Sequence, residues 1–199
     1  MSEEEVLRIA VVAILGSAIG ISGWHRRRAR IEGGTISRSQ ESPFLILLRI
    51  VATLPILATV LAFVVHPPWM AFSQLALPSW LRWTGVASGV LAVPLVFWVV
   101  KSLGRNISET VLTKRDHRLV TEGPYRWVRH PLYGVGLLLL LGLSLITASW
   151  LLAAVTLLAA LLILTVIIPR EESALIETFG ARYTEYQRRT GRILPIRPS

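Results

Sequence analysis

The chain has 199 residues, of which 53% are hydrophobic and only 17% are charged. This composition predicts an integral membrane protein and excludes a soluble domain of the same size. The formal net charge of +9 would suggest nucleic acid in a soluble chain, but here the arginines flank apolar segments, so we expect anionic lipid headgroups and no nucleic acid as partners. Because there is no cysteine, thiol nucleophiles, disulfides and cysteine-ligated metals are excluded.

The apolar segments predict an all-α fold with about five membrane helices. The first three are expected at residues 6–24, 44–65 and 81–100, with kinks at Pro55 and Pro94. Residues 132–168 contain no charged residue or histidine, and this run is too long for one crossing of about 20 residues. It is therefore expected to fold back into a hairpin that is hinged at residues 147–150.

The loops between these segments differ in charge. Residues 25–42 carry five arginines, whereas residues 66–79 carry no lysine or arginine. Since cationic loops stay on the cytoplasmic side of a membrane, we expect residues 25–42, residues 101–131 and the C-terminus in the cytoplasm and the N-terminus outside. The expected location is a bacterial inner membrane or an ER-type membrane.

The C-terminal residues show amphipathic helical spacing. One face carries Leu175, Phe179, Tyr183 and Tyr186, and Gly180 is expected to end one helix and begin another. Two placements are open for this pair of amphipathic helices. It can lie on the membrane surface, or it can fold over residues 101–131 and close a cytoplasmic cavity.

Polar residues gather at residues 117–133, HRLVTEGPYRWVRHPLY, directly before the hairpin. Taken alone, His130-Pro131 predicts the start of a helix, and the segment from Pro169 to Glu172 predicts an ordinary first helical turn. The hairpin, however, brings both ends to one membrane face. We therefore expect a shared ligand for His117, Arg129, His130, Tyr133, Glu171 and Glu172.

Smaller residues near these ends are further candidates. Gly134 and Gly136 would let another helix or a ligand approach the backbone of the first hairpin helix, and Asn106 and Ser108 could reach the same pocket. The four histidines lack the spacing of metal ligands, and no GxGxxG follows a strand. We therefore predict neither a metal site nor a Rossmann nucleotide site.

The chain contains the motif His117-x-Leu119-Val120-x-x-Gly123-Pro124-Tyr125-x-x-Val128-Arg129-His130-Pro131-x-Tyr133, followed by Glu171-Glu172 and Phe179-Gly180-x-x-Tyr183-x-x-Tyr186. This pattern closely resembles the isoprenylcysteine carboxyl methyltransferase family and related phospholipid methyltransferases. The resemblance covers residues 103–195 within a single membrane domain of residues 1–199. It implies that residues 103–195 form a methyltransferase core with a membrane-embedded S-adenosylmethionine site and no Rossmann domain.

The resemblance also implies roles for individual residues. Glu171, Arg129 and Asn106 are expected to be catalytic. The expected cofactor-binding residues are His117, Leu119, Val120, Gly123, Pro124, Tyr125, His130, Tyr133, Gly136 and Glu172. One of the paired glutamates would orient the amino end of the cofactor and the other would face the reacting centre, because carboxylates suit its ammonium and sulfonium groups, whereas Arg129 suits a carboxylate. Since neighbouring helical residues point about 100° apart, our own hypothesis gives the first role to Glu172 and the second to Glu171.

The predicted function is methyl transfer from S-adenosylmethionine, with S-adenosylhomocysteine as product, to a lipophilic acceptor that enters from the bilayer. An isoprenylcysteine-type carboxylate is the expected acceptor. Phospholipid N-methylation and thiol S-methylation are alternatives on the same architecture. An NADPH-dependent sterol-like reductase and a non-catalytic membrane subunit are alternatives of other classes.

Overall fold

A computed structural model describes residues 1–33, 43–65, 67–104 and 119–195, and these residues are mostly helical. The helices are α1 (Glu3–Gly33), α2 (Pro43–Val65), α3 (Ser79–Leu103), α4 (Pro131–Thr147), α5 (Trp150–Leu162), α6 (Ile168–Phe179) and α7 (Ala181–Arg189). Three helical stretches are long and apolar enough to cross a membrane: Glu3–Ile31, Ser79–Leu103 and Trp150–Phe179. Ile50–Val65 and Pro131–Thr147 are shorter apolar helices. The predicted all-α membrane fold is confirmed.

The first helix is longer than expected. Residues 25–33 were expected to begin a loop, but α1 continues through them to Gly33. Arginine is a good helix former, so the basic stretch extends the helix beyond its apolar part. The prediction of a loop directly after residue 24 is therefore wrong.

The hairpin has its hinge where the sequence predicts it. Ala148 ends α4 in the left-handed conformation at φ 48°, and the hydroxyl of Ser149 caps α5 by accepting a hydrogen bond from the Leu152 N–H at 3.3 Å. A 3₁₀ turn at Pro67–Ser73 lies against this hinge. There the Leu75 N–H donates to the Ala148 carbonyl at 2.7 Å, so the loop after α2 and the tip of the hairpin are tied together.

Pro169 lies in the first turn of α6, as expected, but this turn continues the preceding helix. The chain is helical from Trp150 to Phe179, and Ile163–Ile167 form a π turn directly before α6. Proline has no N–H, and its ring crowds the carbonyl four residues earlier. The wider π turn, in which the Ile168 N–H donates to the Ile163 carbonyl, carries the helix past this proline and on to Glu171 and Glu172.

The acidic N-terminus is bound to the beginning of α3. Arg82 donates to the Glu4 carboxylate and to the Ile146 carbonyl at 3.0 Å, while the Trp83 indole N–H donates to Glu3 at 3.1 Å. The sequence places Arg82 near a span end; the structure shows that it joins α1, α3 and the end of α4. This network lies at the end of the helices away from Glu171 and Glu172.

Glycines bring α3 and α4 into close contact. A Cβ atom added at Gly85 would lie 2.6 Å from the Gly142 carbonyl oxygen, and one added at Gly142 would lie 2.9 Å from the Gly85 carbonyl oxygen. Ser88 donates to the Leu138 carbonyl at 3.2 Å across the same contact. Gly85 and Gly89 form a small-xxx-small pattern of the kind that lets membrane helices approach closely. This contact sets the position of α4, and therefore of His130 at its beginning.

Gly85→Ala is expected to destabilise the protein by about 1–3 kcal/mol, because the new methyl group would overlap backbone that cannot move aside easily. Gly20→Ala is the matched control, since nothing lies within 4 Å of a Cβ atom added there. Thermal unfolding in detergent measures both. Equal melting temperatures for the two variants would contradict the close helix contact.

Candidate active site

The segment before α4 is anchored to the end of α3. Gly123, at φ 60°, begins a 3₁₀ turn at Gly123–Arg126, and a Cβ atom added to it would lie 2.7 Å from the Ser102 hydroxyl. Trp127 packs edge to face against Trp98 with ring centroids 5.7 Å apart. The positive φ and the close approach explain why glycine stands at this position. The turn buries Pro124 and Tyr125.

The C-terminal residues fold over this segment. The Arg129 N–H donates to the Gly191 carbonyl at 2.8 Å, the His130 N–H donates to the Arg192 carbonyl at 2.9 Å, and the Gly191 N–H donates to the Trp127 carbonyl at 3.2 Å. Gly180, at φ 56°, separates α6 from α7 as expected and lets the chain turn back. Of the two placements left open by the sequence, the structure shows the one in which the tail covers part of residues 101–131.

The Glu172 carboxylate is the centre of a buried ionic cluster. Its Oε1 atom accepts from Arg129 Nε at 2.8 Å and lies 3.2 Å from His130 Nε2, and its Oε2 atom accepts from an Arg192 terminal nitrogen at 3.4 Å. The side chains of Arg129 and Glu172 are each 7% exposed. A buried carboxylate must be compensated by charge and hydrogen bonds. Here three cationic or hydrogen-bonding side chains supply both.

Glu171 occupies a different position from its neighbour. Its Oε2 atom lies 3.6 Å from His130 Nδ1, and its side chain is 30% exposed. Neighbouring helical residues point about 100° apart, so the two carboxylates approach opposite nitrogens of the same imidazole ring. The carboxylate of Glu171 is therefore the more accessible of the pair.

Arg129 also holds the tail through its guanidinium group. One terminal nitrogen donates to the Gln187 carbonyl at 2.9 Å and to the Thr190 carbonyl. Arginine carries several donors in a fixed planar arrangement, so one side chain can hold both Glu172 and the end of α7. Removing it would release α6 and the C-terminal segment together.

Aromatic residues surround the cluster. His130 lies 5.9 Å from the ring of Tyr133, and the Tyr186 hydroxyl donates to the Tyr125 carbonyl at 2.5 Å. Tyr183 is only 1% exposed, and its hydroxyl has no hydrogen-bond partner in the described parts of the chain. A buried hydroxyl without a partner costs free energy, and a polar ligand would supply the missing partner.

The tyrosine hydroxyls act as neutral groups. Burial, with a smaller contribution from the negative charge of Glu171, raises the pKa of Tyr125. Burial, followed by the charge of Glu172, raises the pKa of Tyr183. Both phenols therefore stay protonated near neutral pH, and they can donate hydrogen bonds but cannot serve as general bases there.

Other predicted residues divide into three groups. Leu119 and Val120 are half-buried at the start of the segment. At Gly134 an added Cβ atom would lie 3.2 Å from the Ile193 carbonyl, whereas at Gly136 nothing lies within 4 Å, so the tail approaches the first glycine and open space adjoins the second. Asn106, Ser108 and His117 lie outside the described residues, and their roles stay predictions.

Sequence reasoning missed Arg192. The tail is rich in arginine, and neither periodicity nor a motif distinguishes this one from the others. Only the turn after α7 brings it to Glu172. Backbone pairing between residues 191–192 and residues 127–130 then keeps it there.

Glu172→Gln is expected to lower the free energy of unfolding by about 3 kcal/mol, because it leaves the buried Arg129 without its counter-charge. Glu177→Gln is the matched control, since Glu177 is exposed on the same helix and a surface change costs within about 0.5 kcal/mol. Thermal unfolding in detergent compares the two. An unchanged melting temperature for Glu172→Gln would contradict the structural role of the cluster.

Comparison with known proteins points to one family. Residues 84–177 match the sequence model of the Isoprenylcysteine carboxyl methyltransferase (ICMT) family. The matched region includes Arg129, His130, Glu171 and Glu172, and it ends before the residues of the tail that cover them.

Two curated relatives show how far the similarity extends. The uncharacterized protein YpbQ of Bacillus subtilis is 27% identical over 173 residues, which are 86% of this chain and 96% of that protein. The Protein-S-isoprenylcysteine O-methyltransferase of Schizosaccharomyces pombe is 31% identical over 97 residues, which are 48% of this chain and 41% of that enzyme. The similarity thus spans less than half of the fission yeast enzyme.

A solved structure is similar over nearly the whole chain. The eukaryotic intramembrane Ras methyltransferase ICMT matches with a TM-score of 0.54 and 22% sequence identity, over 94% of this chain and 68% of that one. The two proteins therefore share a fold.

Proposed function

We propose that the chain, whose residues 84–177 match the sequence model of the Isoprenylcysteine carboxyl methyltransferase (ICMT) family, is a membrane methyltransferase that uses S-adenosylmethionine to methylate a lipophilic acceptor, an isoprenylcysteine-type carboxylate. The observation that carries this proposal is the convergence of Arg129, His130, Glu171 and Glu172 at the two ends of one membrane hairpin. This convergence holds acidic and basic groups beside an apolar bundle. A lipophilic acceptor with a charged end needs charged groups to bind that end and an apolar surface to bind its chain.

Three features support a fit to S-adenosylmethionine, whose sulfonium supplies an electrophilic methyl group when it is bound. The buried hydroxyl of Tyr183 has no partner among the described residues and is available to a polar ligand. Open space adjoins Gly136. Glu171 offers a partly exposed carboxylate that suits a cationic group.

Glu172 acts by positioning in this proposal. Its two oxygens already contact Arg129, His130 and Arg192, so its negative charge is largely compensated within the protein. It holds His130 and the tail in place around the cofactor. This indirect role differs from the direct contact with the cofactor's amino end that our hypothesis from the sequence gives to Glu172.

Arg129 is the residue that we assign to the acceptor carboxylate. Its Nε atom and one terminal nitrogen are engaged, while the other terminal nitrogen makes no hydrogen bond within the described residues. A guanidinium group that is fixed on one edge presents its remaining donors in a defined direction. Orientation of the acceptor would then supply a large part of the catalysis.

The acceptor determines whether a base is needed. An α-carboxyl group has a pKa of about 3.5 and is already ionised near neutral pH, so its oxygen would accept the methyl group without any proton transfer. The bond between that methyl carbon and the sulfonium sulfur would break, and S-adenosylhomocysteine would leave with the electron pair. An amine or thiol acceptor would require a proton acceptor. Glu171, which is the more exposed glutamate of the pair, would take that role.

Purified protein in detergent is expected to bind S-adenosylhomocysteine in the micromolar range, which corresponds to roughly 8 kcal/mol. It should also transfer a radiolabelled methyl group to a prenylated cysteine carboxylate in preference to a phospholipid amine or a small thiol. Calorimetry and thin-layer separation of the labelled products measure the two steps. A response to NADPH without any response to millimolar S-adenosylhomocysteine would refute the proposal.

The same measurements separate the two glutamates. Glu171→Gln should lower the single-turnover rate while affinity for S-adenosylhomocysteine changes by no more than a few-fold, because that carboxylate faces the accessible side. Glu172→Gln should weaken binding as the cluster that it holds loosens. Equal losses of rate and affinity in both variants would show that the pair acts as one unit.

We also propose that the N-terminus lies outside the cytoplasm and that the end carrying Glu171 and Glu172 lies inside it. The basic residues of α1, Arg26, Arg27 and Arg28 among them, lie at the C-terminal end of that helix, and cationic segments favour the cytoplasmic side. Since the chain has no cysteine, single cysteines can report orientation. An impermeant maleimide on intact cells should label Ser2→Cys and not Arg188→Cys; the opposite pattern would invert the topology.

A further inference from the structure

A cavity lies outside the site described above. Its volume is about 330 Å³, and it is located between the C-terminal ends of α1 and α3. Trp24, His25 and Arg28 line it from α1, and Phe97 and Lys101 line it from α3. It shares no lining residue with the Arg129–Glu172 cluster.

Cations in this cavity lie against aromatic rings. The guanidinium carbon of Arg28 lies 5.7 Å from the Trp24 ring centroid, and Lys101 Nζ lies 5.6 Å from the Phe97 ring centroid. His25 packs edge to face against Phe97 at 5.5 Å. Such pairs keep positive charge beside an apolar wall, and an amphiphile with a negative headgroup and a hydrocarbon chain would contact both.

The cavity lies where the membrane helices end. The helical stretches of α1 and α3 that could cross a membrane end at Ile31 and Leu103, and Trp24 and Phe97 are 57% and 42% exposed. Tryptophan and lysine at such depths are typical of the boundary between hydrocarbon and headgroups. The cavity is therefore at the right depth to admit a lipid from the side.

Lys101 is the charge that most favours an external anion. It makes no ion pair with a carboxylate in the described parts of the chain. It lies over the Phe97 ring. A phosphate group would compensate this charge without displacing a partner among the described residues.

The segment before α4 contacts another face of α3. Ser102 and Trp98, which contact the segment before α4, follow Lys101 and Phe97 by one residue each, and one residue corresponds to about 100° around a helix. The cavity therefore faces α1 and the bilayer, while the neighbouring face meets the catalytic segment. We propose that this cavity is a binding site for the headgroup and upper chain of an anionic phospholipid.

Native mass spectrometry of the detergent-purified chain tests this proposal. Phosphatidylglycerol and phosphatidylcholine with identical acyl chains compete for binding to the protein, and the retained lipid is measured. The wild-type protein should retain phosphatidylglycerol preferentially. Lys101→Gln should weaken that retention by roughly fivefold, which is the effect of one cation at an anionic surface. Arg27→Gln is the matched control, because it removes the same charge from an exposed residue that does not line the cavity.

The proposal would be overturned by the absence of a preference for phosphatidylglycerol, or by an equal loss of lipid retention in Lys101→Gln and Arg27→Gln. Displacement of the bound lipid by a prenylated cysteine carboxylate, one molecule for one, would assign the cavity to the acceptor instead. The lipid readout requires no methyl transfer. Failure of this proposal and failure of the proposed function are thus distinguishable.

Discussion

The buried carboxylate of Glu172 is the group on which the candidate site depends. It joins three parts of the chain, since α6 provides the glutamate, the segment before α4 provides Arg129 and His130, and the tail provides Arg192. A buried ion pair contributes little net stability, but the loss of one partner is costly. The cluster therefore specifies one arrangement of these three segments, and it places Glu171 beside His130 at the accessible edge.

The position of this cluster follows from contacts elsewhere in the bundle. Gly85 and Gly142 let α3 and α4 meet at backbone distance, and the turn at Ala148 and Ser149 returns the chain towards the same end. The π turn before Pro169 then extends the second hairpin helix beyond its apolar part. Membrane helices associate by close packing rather than by a hydrophobic driving force, so small residues determine where the polar ends come together.

Positive charge at this end of the protein serves two purposes. Arg129 and Arg192 face inward to Glu172, whereas Arg28 and Lys101 lie over aromatic rings at the edge of the bundle. The first pair compensates a carboxylate of the protein. The second suits an anion from the bilayer. The same excess of basic residues thus belongs to the proposed methyl-transfer site and to the proposed lipid site, which lie on neighbouring faces of the end of α3.

The sequence by itself determined the membrane class, the hairpin with its hinge, and the grouping of Arg129, His130, Glu171 and Glu172, because long uncharged runs have few ways to satisfy their backbone in lipid. It could not determine that α1 continues past residue 24, that Pro169 lies inside a helix, or that Arg192 reaches Glu172. These features depend on contacts between residues far apart in the chain. Only the tertiary structure decided that Arg192, among several similar arginines, contacts the Glu172 carboxylate. Residue type does not distinguish these arginines, whereas burial and the backbone pairing of residues 191–192 do.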